Sequence, residues 1–511
     1  MVQIHIVNPG WSEGPWAGES VVTIEELIQR ATAGQSPEPR TLFRPSLVYQ
    51  VLHDPFWIWC EYHAPRSEAV DETGRYDELR RQRGVEYEQA WVREHFPHAL
   101  RVVSDFGLEA LRNTLQAMRE GVPAIYQPQV WDLGGETYGK GDLLVRSDTH
   151  PSDLGPYHYR VVEIKRARTV QDHHVLQATF YNRMLGKLQG YTPGELTVAL
   201  KEATELVPVA PRGTELDEIL TTWKSLRDGT VIPEPGRPPD VTDSPWRLYG
   251  QKLVESRRDL VLLAGVGARE RGRLRAAGIQ RVDQLWSLRL DQVCEMLGEQ
   301  SGLQAYYVAQ AYRSGLPIPK SNARLRIPRA ARHLYVDFET SDEVHPTEPP
   351  HVYLIGVWDA ERRRDDRFLA RGAPEEARIF EEFLAYVGEG EEVYLYHWTD
   401  FEPRQMAKVG ERWPRLSQPL QRLLARCVDL MRVVKSAVYL PVPSFSLKCV
   451  APALGFRWRQ EGFDAFEAMV CYWDYLRSGD ESAIEKSVAY NADDCRAMWH
   501  VDHELTGRFC H

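Results

Sequence analysis

None of the seven cysteines, at positions 60, 294, 427, 449, 471, 495 and 510, forms a CxxC pair. A zinc finger is disfavoured, and an iron–sulfur cluster lacks its ligand run. Scattered in this way, the cysteines read as reduced, mostly buried thiols of a cytoplasmic protein. The chain also has no run of about 18 apolar residues, so no membrane span is expected. Its opening, MVQIHIVNPGWSEG, lacks a basic segment followed by an apolar core, so no signal peptide is expected. No internal repeat of about 20–50 residues and no low-complexity tract is visible. One phosphate-loop pattern is nearly complete, from Gly134 to Gly141 (GGETYGKG). Gly141 stands where a magnesium-binding hydroxyl is needed, and a strand follows where a helix should. ATP binding is therefore rejected, and with it a helicase motor of the chain's own.

What is present suffices for several cores. A chain of 511 residues accommodates about two to four domains. The net charge of −11 argues at first against a nucleic-acid partner, yet it is unevenly distributed. From Gly250 to Leu334 there are 15 Lys and Arg against 7 Asp and Glu, a local balance of +8 that leaves −19 elsewhere. That basic middle is the natural phosphate-contacting surface. The 15 Trp and 23 Tyr can supply base-stacking platforms, although most belong in the core.

Two proline-rich breaks divide the chain. VIPEPGRPPDVTDSP begins at Val231, and GLPIPKSNARLRIPRAA begins at Gly315. The implied domains are 1–232, a helical region 246–318, and 330–511. After the second break the pattern reads strand, strand, strand, helix, strand, then mainly helices.

Chemistry-bearing residues concentrate in two places. In the first, Asp142 ends YGKGD, and Glu163 and Lys165 lie in the apolar run YRVVEIKRAR. Strand residues two apart share a face, so Glu163 and Lys165 point the same way. Two carboxylates beside a lysine can hold a divalent cation and an attacking water. Gln177 and Tyr181, four apart in a helical run, share one helix face. Upstream, Arg83 and Gly84 open an amphipathic helix that carries Glu88. In this order the elements resemble the RecB-like branch of the PD-(D/E)XK nucleases, with its RGxxxH, GD, ExK and QxxxY motifs. Glu88 stands where many members have a metal-binding His, and Glu is also a good hard-cation ligand. The resemblance implies Glu88, Asp142 and Glu163 as metal ligands. It implies Lys165 as the group acting on water or transition state, and Gln177 and Tyr181 as residues that place the strand.

The second constellation is in the C-terminal third. HLYVDFET puts Asp337 and Glu339 on one strand face. Tyr490 and Asp494 lie one helical turn apart in AYNADDCRAMW. Between them, YLYHWTDFEPRQ runs from strand into helix, with Glu402 after Phe401 and Asp400 as a competing acid. This set resembles the DnaQ-like 3′–5′ exonucleases, whose motifs are DxE, a middle acidic residue and YxxxD. The resemblance implies Asp337, Glu339, Glu402 and Asp494 as ligands of two metals, with Tyr490 positioning water. Asp429 reads as a helix cap or surface residue. Ser446 and Lys448, in FSLKCV, read as a cap and a surface lysine. His173 and His174 read as surface or supporting groups.

The basic middle contains LVLLAGVGARERGRLRAAGIQ, which resembles a helix-hairpin-helix element. Gly265 and Gly267 would form the hairpin and free backbone N–H groups for a phosphate. Arg269, Arg271, Arg273 and Arg275 cannot all face one way on a helix. Arg269, Arg273 and Arg324 are the expected phosphate contacts. The sequence thus predicts a multidomain α/β protein: a PD-(D/E)XK restriction-endonuclease-like core, a helix-hairpin-helix-like middle and an RNase H-like exonuclease domain. Mg2+ or Mn2+ would be the cofactor, and nucleic acid, DNA before RNA, the partner, in DNA repair, processing or defence. Two alternatives stay open. In one, a single site cuts while the other domain clamps nucleic acid. In the other, the chain is a non-enzymatic scaffold that recruits a separate helicase.

Overall fold

The computed structural model describes residues 22–36, 38–70, 74–102, 107–236, 244–320, 325–345, 349–388, 390, 392–460 and 462–509. The chain divides into two units, Met1–Arg66 with Arg81–Pro233, and Ser67–Arg80 with Glu234–His511. The helical stretch after Trp246 lies within the second unit. So does Ser67–Arg80, which the sequence assigns to the N-terminal domain.

The first unit is built on a six-stranded sheet. Its strands are β1 (Leu100–Arg101), β2 (Ala124–Tyr126), β3 (Leu143–Ser147), β4 (His158–Ile164), β5 (Glu195–Ala199) and β6 (Thr204–Pro208), side by side in that order. β1 pairs with β2 and β4 with β5 in parallel; the other pairs are antiparallel. Alternation along β4 sorts its side chains between two cores. Tyr159 and Val161 join the core containing Tyr181, Met184 and Leu185 of α2 (Asp172–Gln189). Val162 and Ile164 join Trp91 and Val92 of α1 (Arg75–His95) in the other. The phosphate-loop look-alike ends in a strand, Thr137–Lys140, paired with Gln129–Asp132.

In the second unit the helical stretch has its own core, in which Leu260, Val266, Leu274, Ile279 and Leu285 meet. Beside it stands a five-stranded sheet of β7 (Arg332–Ser341), β8 (His351–Asp359), β9 (Arg364–Leu369), β10 (Val393–His397) and β11 (Cys427–Asp429). The strand order is β9-β8-β7-β10-β11, with β7 central. β8 and β9 pair antiparallel; β10 and β11 join in parallel with β7. Leu334, Val336 and Phe338 of β7 face the core containing Phe380 and Phe383. The alternate residues Tyr335, Asp337 and Glu339 occupy the opposite face, where Tyr335 meets Met498 and Val501. Period-two alternation thus drives two carboxylates under the long helix Glu485–Phe509.

The six described cysteines are free, but only Cys60 and Cys495 are fully buried; the other four are half-buried. Among the described residues, no helix is long and apolar enough to cross a membrane.

Two candidate acidic sites

In the first unit, Glu163 and Lys165 sit at the end of β4, and Asp142 immediately precedes β3. Glu163 is fully buried. Its Oε1 accepts from Lys165 Nζ at 2.6 Å and from Gln177 Nε2 at 2.9 Å. Asp142 Oδ2 accepts the Ile164 backbone N–H at 2.8 Å and lies 3.7 Å from Lys165 Nζ. Burial, then the Asp142 charge, pushes the Glu163 carboxyl up to about 8. Burial and Asp142 also raise Glu88, whose Oε1 accepts from Gln127 Nε2 at 3.4 Å. Burial opposes the Lys165 ammonium, but Glu163 and Asp142 outweigh it and hold its pKa above the ordinary lysine value.

The site therefore gathers Glu88, Asp142, Glu163, Lys165 and Gln177. Tyr181 differs from its expected strand-placing role. It is buried, and its hydroxyl donates to the Lys140 carbonyl at 2.9 Å. Gly139 permits this, since a Cβ there would meet the Tyr181 ring at 2.8 Å. Gln177 likewise spends its amide on Glu163. Gln177 thus braces the strand that carries Glu163, and Tyr181 ties α2 to the Thr137–Lys140 strand that leads to Asp142. Glu163 Oε2 is buried with no hydrogen-bond partner, a costly state for an ionised oxygen. A cation ligand is the natural occupant of that acceptor, so the donor set fits a divalent ion.

The second site is more concentrated. Asp337, Glu339 and Asp494 each offer a carboxylate oxygen, and these oxygens lie within 4.8 Å of one another. Among the described residues it is the one His, Cys, Asp and Glu group this tight. Glu402 enters at the start of the helix Phe401–Arg412 and is buried; its Oε2 has no hydrogen bond, and His397 Nδ1 lies 3.8 Å from it. Asp400, the competing acid, is exposed and pairs with Arg404. Burial, then Asp494, pushes Glu339 up to about 8, and burial, with the Asp429 and Asp494 charges, does the same to Glu402. Asp337 is raised well above the carboxylate range by burial and by Glu339 and Asp494. Four acids that resist ionisation together are a set waiting for positive charge. A buried carboxylate oxygen with no donor fits a cation here as in the first site.

Some neighbours escape sequence reasoning. Asn491 Nδ2 donates to Asp337 Oδ2 at 2.7 Å and to its carbonyl at 3.2 Å. Its place one residue after Tyr490, on the Asp494 face, was a readable signal. Lys448, expected as a surface lysine, is half-exposed, and its Nζ donates to Asp494 Oδ1 at 2.7 Å. Ser446 holds the N-cap position before Leu447–Ala453, but its side chain makes no capping bond. Trp458 Nε1 donates to the same Asp494 oxygen at 2.6 Å, and no motif announces it. Tyr490 is buried, and the Asp494 charge, after burial itself, pushes its phenol up. Asp429 caps the helix Leu430–Ala437 by accepting from Arg432 N–H at 2.8 Å.

In the helical stretch, Gly265 has a φ of 76° and Gly267 caps the helix Ala268–Ala276. Arg269 and Arg273 are exposed. Arg271 and Arg275 turn inward onto Glu234. Arg324 lies outside the described residues.

The C-terminal domain is thus of mixed α/β class, with a central β-sheet that sets clustered carboxylates beneath a helix. Residues 334–506 match the RNase_H_2 family model of the RNase_H superfamily, so the C-terminal domain is RNase H-like. No curated protein matches the chain.

Proposed function

We propose that this protein is a metal-dependent nuclease with two hydrolytic sites that cleaves phosphodiester bonds, preferentially in DNA, during DNA repair, processing or defence. The observation that carries the reading is the packing of Asp337, Glu339 and Asp494 oxygens within 4.8 Å inside an RNase H-like domain. Bound Mg2+ or Mn2+ would polarise the phosphate and lower the pKa of the attacking water. At the C-terminal site Asp337, Glu339, Glu402 and Asp494 would hold the ions, and Tyr490 would orient groups around Asp494. The DxE and YxxxD spacing supports 3′–5′ exonuclease action. At the N-terminal site Glu88, Asp142 and Glu163 would be ligands, and the Lys165 ammonium would face charge developing on the phosphate. Arg269 and Arg273, exposed beside the Gly265 and Gly267 turn, would contact the phosphate backbone.

A second reading has one cutting site, with the N-terminal unit acting as a clamp. It is favoured by the position of Lys165, bonded to Glu163 where an ion would compete with it. Gel assays on labelled single- and double-stranded DNA and RNA test both. Wild type, Asp142→Ala and Asp337→Ala should each give a distinct product pattern. Loss of all products in Asp337→Ala alone supports the clamp, and wild-type products from the double variant sink the nuclease reading.

A further inference from the structure

Asp494 is the carboxylate of the C-terminal cluster with the most side-chain donors assigned to it. Lys448 Nζ and Trp458 Nε1 both reach its Oδ1, at 2.7 and 2.6 Å. Lys448 Nζ also lies 4.1 Å from the centroid of the Trp458 ring and 4.1 Å from that of Tyr490. Two ring faces attract a cation and limit where it can go. The ammonium is thus held between aromatic walls and aimed at one ligand oxygen. Its charge acts on Asp337, Glu339 and Asp494 together.

Resting on the reading of this cluster as a metal site, we propose that Lys448 is its built-in countercharge and a positioning residue. It holds Asp494 in the ligating orientation and offsets part of the cluster's negative charge before a metal enters. The geometry leads to two opposed consequences. An ammonium bonded to a ligand oxygen repels a divalent ion on the same carboxylate, and charges a few ångströms apart interact strongly even at an effective dielectric of about 20. Removing it should therefore tighten metal binding. The same removal leaves Trp458 as the donor holding Asp494 Oδ1, and loss of a ligand's supporting partner typically costs about 10–100-fold in metal affinity or activity. A half-exposed lysine that only paired with a surface acid would move neither quantity in this pattern.

The test is Mn2+ titration by calorimetry on the full chain. A Glu163→Gln background silences the N-terminal site. Lys448→Met keeps the stem between the rings and should lower the Mn2+ Kd about tenfold or more while slowing 3′-end trimming. Lys448→Arg keeps the charge and should leave the Kd within about threefold of the parent. If Lys448→Met does not fold by circular dichroism, Lys448→Gln replaces it with the same expectation. Equal or weaker Mn2+ binding in the neutral variant, or equal tightening in both variants, overturns the assignment. A parent whose Mn2+ binding is unchanged by Asp337→Ala overturns the metal-site reading, and this inference with it.

Discussion

At the scale of single residues, the two sites share a device: a lysine bonded to a carboxylate that is otherwise ready for a cation. The devices are not equivalent. Lys165 bonds Glu163 Oε1 while Glu163 Oε2 stays unpartnered, so a ligand oxygen remains beside the ammonium. Lys165→Ala should therefore abolish cleavage by the N-terminal site yet leave its Mn2+ affinity largely intact. Wild-type rates from Lys165→Ala in an Asp337→Ala background would remove the N-terminal site from the list of nucleases. The buried acids also make a pH prediction. Glu339 and Glu402 are pushed up to about 8, above their unfolded values. Facing them are Asp337, Asp494 and Tyr490, with Lys448 as the nearby ammonium, and Asp429 beside Glu402. Between about pH 4.5 and 8 the folded state keeps protons that the unfolded state has released. The metal-free protein should thus lose stability as pH rises through that window, and Mn2+ should restore it most at the alkaline end. Thermal melts of wild type and Glu339→Gln/Glu402→Gln check this. The variant's melting temperature should fall less between pH 5.5 and 8, and parallel curves would refute the assignment.

At the scale of elements, one close approach sets the C-terminal site. The long helix Glu485–Phe509 crosses β8 at Gly356, where an added Cβ would overlap the Asn491 side chain and come within 3.3 Å of Cys495 Sγ. Asn491 is the residue that holds Asp337 from that helix. Gly356→Ala should displace Asn491, cost about 1–3 kcal/mol of stability and lower C-terminal activity. Wild-type melting and trimming would show that the contact is slack. This contact was illegible in the sequence, because a glycine in an apolar strand says nothing about which helix meets it. What was legible followed from periodicity. Asp337 and Glu339 at spacing two, Tyr490 and Asp494 at spacing four, and the three-strand, helix, strand order of the C-terminal domain all follow from local geometry. The same rule separates Arg269 and Arg273 from Arg271 and Arg275 on opposite helix faces. Lys448 and Trp458 escaped because they reach Asp494 from 46 and 36 positions away. No local period encodes such contacts. Tyr181 was assigned a strand-placing role by motif, but only packing reveals that its hydroxyl ends on a backbone carbonyl.

At the scale of the whole molecule, the question is whether two acidic sites on one chain perform separable reactions. Their surroundings differ in kind. The C-terminal cluster brings three carboxylate oxygens within 4.8 Å, a geometry suited to two ions on either side of a scissile phosphate. The N-terminal group instead interposes an ammonium between Asp142 and Glu163, which suits fewer ions and a charge-stabilising lysine. Asp337→Ala or Asp494→Ala should therefore remove stepwise trimming from free 3′ ends and spare cuts made by the N-terminal site. Each lost carboxylate would remove a ligand from the proposed ions, and the reaction would lose several kcal/mol of stabilisation, about a thousandfold in rate. Conversely, Asp142→Ala should leave trimming intact. The decisive substrate carries a blocked 3′ end and is offered to Asp142→Ala, in which, on the proposed reading, only the C-terminal site would operate. An exonuclease that grips the terminal hydroxyl stalls on it and degrades the free-ended control. If Asp142→Ala degrades both substrates at the same rate, the C-terminal domain does not act from 3′ ends, and its carboxylates serve an internal cutter.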